Sequence, residues 1–368
     1  MAKHFFFVPR LDYKSGWGTT TLNYLKILRR EDVVVFCNKK NNKIDYEQYP
    51  LLGKPLDYLK NPLIIIKDYL KIRKILYNNQ NYKLFSHFPC ELYSLILFFC
   101  GSIFKKNIYY AQGSYTLVLL TSLKTKLIFN HLKKYFSIII YSSYFTKKII
   151  EKKEKFKLTK IKRVINPIIS LKDRTITQKI KKNKNSIICV GHLSPRKGQE
   201  ELIYLIGNIK KKFNTKVNLY IVGSKGDNSY KKKLEKIIFS LNIKNQIKFF
   251  HKIDDNKLRE LYLKSNLFIL LAKKIINYFE GFGIVYLEAI KYGLPIIISK
   301  ESGAIELQNY FKNFKAFNPK DFDGISKEVI RKLNNKNLNY KKNQLILLKF
   351  CNDNEKKLKK IYMLLNNL

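Results

Sequence analysis

Short apolar runs alternate with helix-length segments through almost the whole chain, and no other feature constrains the fold as tightly. Residues 4–8, 33–37, 83–86, 107–111 and 137–142 read as strands, with helical stretches such as 64–77, 91–104 and 121–136 between them. Strands this continuously hydrophobic, spaced by helices, imply a parallel sheet covered on both faces. A charged stretch at about 171–185 interrupts the pattern, which then restarts. Strands at 186–190, 217–222, 246–250, 267–271 and 295–299 alternate with helices at 230–241, 255–264 and about 284–292. The expectation is an α/β protein of two doubly wound, Rossmann-like domains facing across a cleft. The domains would span 1–175 and 176–349, with a C-terminal helix at about 350–368 packing back onto the first. Ligands of such sheets bind at the carboxyl ends of the strands.

The 368 residues, 46% of them hydrophobic, suffice for two sizeable cores. A formal net charge of +45 attracts nucleic acid, anionic lipid and anionic metabolites. Arginine is scarce and no known docking element is present, which argues against specific nucleic-acid reading. Peripheral contact with an anionic membrane fits better, since each lysine near such lipid contributes about 1 kcal/mol. The longest apolar run, 92–104, is too short to span a bilayer, and nothing resembles a secretion signal. The five cysteines have neither paired nor metal-ligand spacing and fit reduced core thiols. These features point to a cytoplasmic protein at the inner face of the plasma membrane, with no metal site.

The most informative local stretch is Glu280-Gly281-Phe282-Gly283, followed by a helix from Ile284, a stop at Gly293 and a buried strand. The first turn of a helix leaves N–H groups unpaired and carries the positive end of the helix dipole, so an anion suits it. Glu288 lies one turn beyond Ile284, and its side chain leans back toward that end. Carboxylates repel phosphate, so Glu280 and Glu288 suit sugar hydroxyls on either side of one. The same residues also fit a plain turn with two solvated acids. In the first half, strand 4–8 leads through Gly16 and Gly18 into a helix, the opening of a nucleotide-binding unit. A third glycine is missing at the required step, where Thr21 stands. The pair fits either a simple turn or a loop covering phosphate.

The ordered set VGHLSPRKGQEELI, LYIVG, LRELYLKSNLFILLA, EGFGIVYLEAIKYGLPIII and SGAIE closely resembles the nucleotide-binding half of family-4 glycosyltransferases with the GT-B fold. The resemblance covers about 186–310; the first half agrees in layout more than in motif. SPRKGQ and EGFGIVYLEA look like the subgroup of bacterial mannosyltransferases that use lipid-linked acceptors, as in lipopolysaccharide biosynthesis. The resemblance implies a retaining transferase with a UDP- or GDP-linked sugar donor, no obligatory cofactor or metal, and a lipid-linked or polysaccharide acceptor. It places Lys197 on the donor diphosphate, Glu280 on the sugar, Glu288 on the ribose, and the backbone of Gly281, Phe282, Gly283 and Ile284 on sugar and phosphates. The Gly16 loop would close over phosphate. His192 stands where the family often has arginine, with Arg196 available in its place. Gln112 stands where many relatives have a histidine near the reaction centre; glutamine hydrogen-bonds but is no base.

Asp321-Phe322-Asp323 mimics a metal-binding motif but precedes a helix and reads as its cap. His87 reads as a turn residue. The stretch 119–136, leucines interleaved with lysines, fits either a membrane-facing amphipathic helix or an ordinary packed one. Two further readings of the whole chain are a nucleotide-sugar epimerase of the same architecture and a basic nucleic-acid-binding protein.

Overall fold

The structure, a computed structural model, describes residues 2–12, 16–123, 125–153, 161–171, 182–224, 226–311, 313–335 and 340–367. The expected linker therefore lies largely outside the described residues. Strands β1 (Ala2–Val8), β2 (Val33–Cys37), β3 (Glu47–Tyr49), β4 (Lys83–Phe88), β5 (Lys106–Ala111), β6 (Phe136–Tyr141) and β7 (Ile161–Val164) form one sheet in the order β3-β2-β1-β4-β5-β6-β7. Strands β8 (Ser186–Val190), β9 (Asn218–Val222), β10 (Ile247–Phe250), β11 (Leu267–Leu270), β12 (Ile296–Ser299) and β13 (Lys315–Phe317) form a second, in the order β10-β9-β8-β11-β12-β13. Every pairing is parallel. Each order reverses beside its first strand, between β1 and β4 and between β8 and β11. A doubly wound sheet opens its ligand crevice at such a point, beyond the carboxyl ends of the strands.

The chain divides into two compact units, Met1–Ile169 with Asn352–Leu368, and Ser170–Cys351. The expected strands all form, within a residue or two, because their buried valine, isoleucine and phenylalanine runs carry a strong local signal. Three strands escaped the sequence reading, β3, β7 and β13. Each has three or four residues at a sheet edge, too few for a period to register.

The segment expected as a helix over 91–104 is instead a 3-10 helix, Glu91–Ile96, followed by one α turn, Leu97–Cys100. Residues 92–97 are buried on all sides, so packing rather than amphipathic period decides their winding. The stretch 119–136 likewise divides, with helix Ser114–Thr121 running into it and helix Lys126–Leu132 following. His87 is not a turn residue. It is the fifth residue of β4, fully buried, with Nε2 2.9 Å from His4 Nδ1 and Nδ1 2.9 Å from the Tyr110 hydroxyl. Asp321 does cap helix Phe322–Asn334, accepting from the Gly324 N–H at 2.9 Å.

The last helix, Tyr340–Asn367, starts nearly three turns before the expected position of about 350. Its Leu358, Ile361, Tyr362 and Leu365 join the core of the first unit with Tyr24, Phe85, Ile108, Tyr110 and Ile138. Its Phe350 stacks on Phe282 in the second unit, ring centroids 6.0 Å apart.

Candidate active site

In the second unit the loop leaving β8 makes one 3-10 turn, Pro195–Lys197, and ends at Gly198 with φ +70°. A Cβ on Gly198 would lie 1.9 Å from the carbonyl oxygen of Leu271, the residue after β11. Only glycine lets these two loops pack, and both sit at the point where the strand order reverses. The Lys273 N–H also donates to the Arg196 carbonyl at 2.9 Å. Their contact brings Arg196 Nη1 and Lys197 Nζ onto one oxygen, Glu280 Oε2, each at 2.6 Å. Arg196 therefore faces the acid. The Glu280 backbone is itself held, bridging Ser302 in parallel and accepting from the Gly303 N–H at 3.2 Å. That gives the SGAIE stretch a structural task.

Burial works against the charge on Glu280, and Lys197 and Arg196 outweigh it, holding its carboxyl at about 2. Burial also lowers Lys197, against the pull of Glu280. Two cations against one acid leave an excess of positive charge where water is scarce and charge interactions are strong. A buried ion cluster adds little net stability, but removing one partner is costly, so it holds these three groups in one geometry.

Helix Ile284–Lys291 begins beside this cluster, with Gly283 as its N-cap at φ +90°. Phe282 is buried, its ring against Phe350, so its side chain is committed to packing. Glu288, half-buried on that helix, accepts from the Tyr262 hydroxyl at 3.1 Å, and burial raises its pKa. His192 is exposed, with Nδ1 2.6 Å from Ser224 Oγ. Partial loss of water around its ring, then Arg196 and Lys197, lowers its pKa, so it does not supply the fixed charge of an arginine.

Gly16 and Gln112 belong to the first unit. Gly16 opens helix Gly16–Leu25 in open space, whereas a Cβ on Gly18 would meet the Asp12 carbonyl at 2.4 Å. The glycine that packing requires is therefore Gly18. Gln112 follows β5, and its Nε2 is buried without an acceptor.

Sequence reasoning missed the residue that organises this region, Glu91. It is 1% exposed. Its Oε1 accepts from the N–H groups of Gln112 and Gly113, both at 3.1 Å, and its Oε2 from Trp17 Nε1 at 3.0 Å. Burial pushes its carboxyl up to about 7 although these donors oppose the shift. One side chain after β4 thus ties the helix after β1 to the turn after β5. The available signal was an acid opening an otherwise apolar run directly after a strand. Among the described residues, no group of three or more His, Cys, Asp or Glu is placed to hold a metal ion.

Two doubly wound parallel units, the second with a basic and acidic cluster at its reversal point, have the GT-B architecture. The chain belongs to the glycosyl transferases group 1 family, whose model matches residues 172–361. It is 30% identical over 154 residues to an uncharacterized glycosyltransferase of Methanocaldococcus jannaschii, covering 42% of this chain and 37% of that one. It is 25% identical over 146 residues to a GDP-mannose-dependent alpha-(1-6)-phosphatidylinositol monomannoside mannosyltransferase of Mycobacterium tuberculosis, covering 39% and 37%. The matched segments thus span little more than a third of these relatives' length. Among solved structures, Anabaena Alr3699/HepE in complex with UDP and glucose superimposes over 100% of both chains, with a TM-score of 0.73 and 17% identity.

Proposed function

We propose that the chain is a retaining glycosyltransferase that moves a sugar from a nucleoside-diphosphate donor to a hydroxyl of a lipid-linked or polysaccharide acceptor in cell-envelope glycan biosynthesis. The convergence of Arg196 and Lys197 on Glu280, beside a glycine-capped helix start, carries this reading. A diphosphate suits the excess positive charge and the helix N–H groups. In this reading Lys197, with Arg196, holds the departing diphosphate, and the backbone of Gly281, Phe282, Gly283 and Ile284 lies along sugar and phosphates. Glu280, kept ionised by its two cations, accepts from sugar hydroxyls, and Glu288 accepts from the ribose. His192 lies beside the donor as a neutral group. Rate enhancement then comes from positioning and from stabilising charge on the leaving group.

In the first unit we assign Gln112 and Gly16 to the same reaction. The buried Gln112 amide is a donor lacking an acceptor, which suits a sugar oxygen, and the open space at Gly16 suits close backbone approach. The UDP in the Anabaena structure and the GDP-mannose of the mycobacterial relative support a UDP- or GDP-linked donor. The net charge of +45 supports work at the cytoplasmic face of an anionic membrane.

The test is thermal stability against UDP-, GDP- and ADP-sugars, because a ligand bound only to the native state raises the melting temperature. One donor class should produce a shift that survives moderate salt. Lys197→Ala, which removes a charge-assisted bond of about 1.5–3 kcal/mol, should weaken that donor tenfold or more and remove turnover. Normal turnover in Lys197→Ala, or no shift with any donor, would overturn the reading.

A further inference from the structure

Helix Leu63–Asn78 buries Ile65, Ile72 and Leu76. Its opposite face nevertheless carries Leu63 and Leu70, 68% and 50% exposed, among Lys67, Lys71, Arg73 and Lys74. A surface helix ordinarily keeps that face polar. Ring contacts extend the apolar strip beyond the helix. Tyr69 stacks on Phe99 at 5.6 Å, Phe99 meets Phe98 at 5.2 Å, and Phe98, half-exposed, meets His131 at 5.8 Å. Leu127, one turn before His131, is 79% exposed, and Leu123 before it is 95% exposed. Single exposed leucines need no explanation, but a continuous row of them does.

The charges around this row have one sign. From 58 to 150 the sequence holds only two acids, Asp68 and Glu91, and each is 1% exposed. Asp68 holds Lys71 at 3.0 Å, and the other lysines of the stretch meet no exposed carboxylate within it.

We propose that this face docks on an anionic lipid bilayer, with Leu70, Phe98 and Leu127 entering the boundary between head groups and acyl chains and the surrounding lysines meeting lipid phosphates. The chemistry favours lipid over other partners. Protein interfaces are depleted of lysine, and a nucleic-acid surface gains nothing from projecting leucines. The proposal rests on the reading above, that the chain works at an anionic membrane on a lipid-linked acceptor, and deepens it by naming the face that docks.

The full chain is sedimented with vesicles of phosphatidylcholine alone or mixed with phosphatidylglycerol, at low salt and at about 0.5 M salt, where surface charges are screened within a few ångströms. Wild type should bind the phosphatidylglycerol vesicles and retain measurable binding at the higher salt through its apolar side chains. The triple variant Leu70→Ser, Phe98→Ser, Leu127→Ser should bind them about tenfold or more weakly at that salt. Its melting temperature and any nucleotide-sugar shift should remain those of wild type, so failure here is distinct from failure of the donor reading. Vesicle binding equal to wild type in the variant would overturn the proposal. So would complete loss of wild-type binding at the higher salt, or a wild-type dimer that the variant converts to monomer.

Discussion

Glu91 is the residue whose environment makes the sharpest prediction. Its carboxyl, near 4.5 in the unfolded chain, rises to about 7 when buried. A raised pKa means that its contribution to stability is complete below about pH 4.5 and is lost as pH rises through about 7. Glu91→Gln lacks that titration, although it sets an amide N–H against Trp17 Nε1 or a backbone donor. The stability of wild type relative to Glu91→Gln, measured by urea melts, should therefore fall by up to about 3 kcal/mol between about pH 4.5 and pH 8. A difference that does not change with pH would mean that this carboxyl titrates in water. Glu280 behaves in the opposite sense. Its carboxyl is held at about 2, so what it contributes is present above about pH 4.5 and is lost as pH falls toward 2.

Among the elements, the helix Tyr340–Asn367 has the largest consequence for folding. Its residues through Cys351 belong to the second unit and those from Asn352 to the first. Leu358, Ile361, Tyr362 and Leu365 are all buried in the first unit's core. Burying a large apolar side chain contributes about 1.5–3 kcal/mol, so four of them rival the 5–15 kcal/mol by which a typical domain is stable. Ending the chain at Cys351 should therefore leave residues 1–169 open to limited proteolysis while the region from about 186 to 335 stays resistant. Equal protection of both regions in the truncated chain would show that the helix contributes little to that core. The helix Ile284–Lys291 illustrates the other kind of element, one defined locally. A left-handed glycine starts it and Gly293 follows its end, and both boundaries were readable from sequence.

For the whole molecule, the net charge of +45 is the dominant long-range term. Many of the acids are already paired, as in Lys264 with Glu260 and Lys212 with Asp323, leaving most lysines to repel one another. Self-repulsion of this kind destabilises a compact state and is relieved by salt. The melting temperature should rise as ionic strength is raised from about 0.01 to 0.15 M, over which the Debye length shrinks from about 30 to 8 Å. A falling melting temperature would show that attractive pairs outweigh the repulsion. Among the described residues, no helix is long and apolar enough to cross a membrane.

The sequence by itself determined the two parallel sheets, most strand positions and the glycine-bounded helix at Ile284, because hydrophobic period, β-branched content and glycine placement act over a few neighbouring residues. It also held the ordered motifs that mark the family. Only the tertiary structure decided that Arg196 and Lys197 share one oxygen of an acid more than eighty residues away, since that contact depends on Gly198 meeting Leu271 at a strand reversal. The same holds for the burial of His87 and Glu91, and for the face that helix Leu63–Asn78 turns outward. A side chain's charge state and exposure are set by groups that arrive from distant parts of the chain, and those become neighbours only when the sheets assemble.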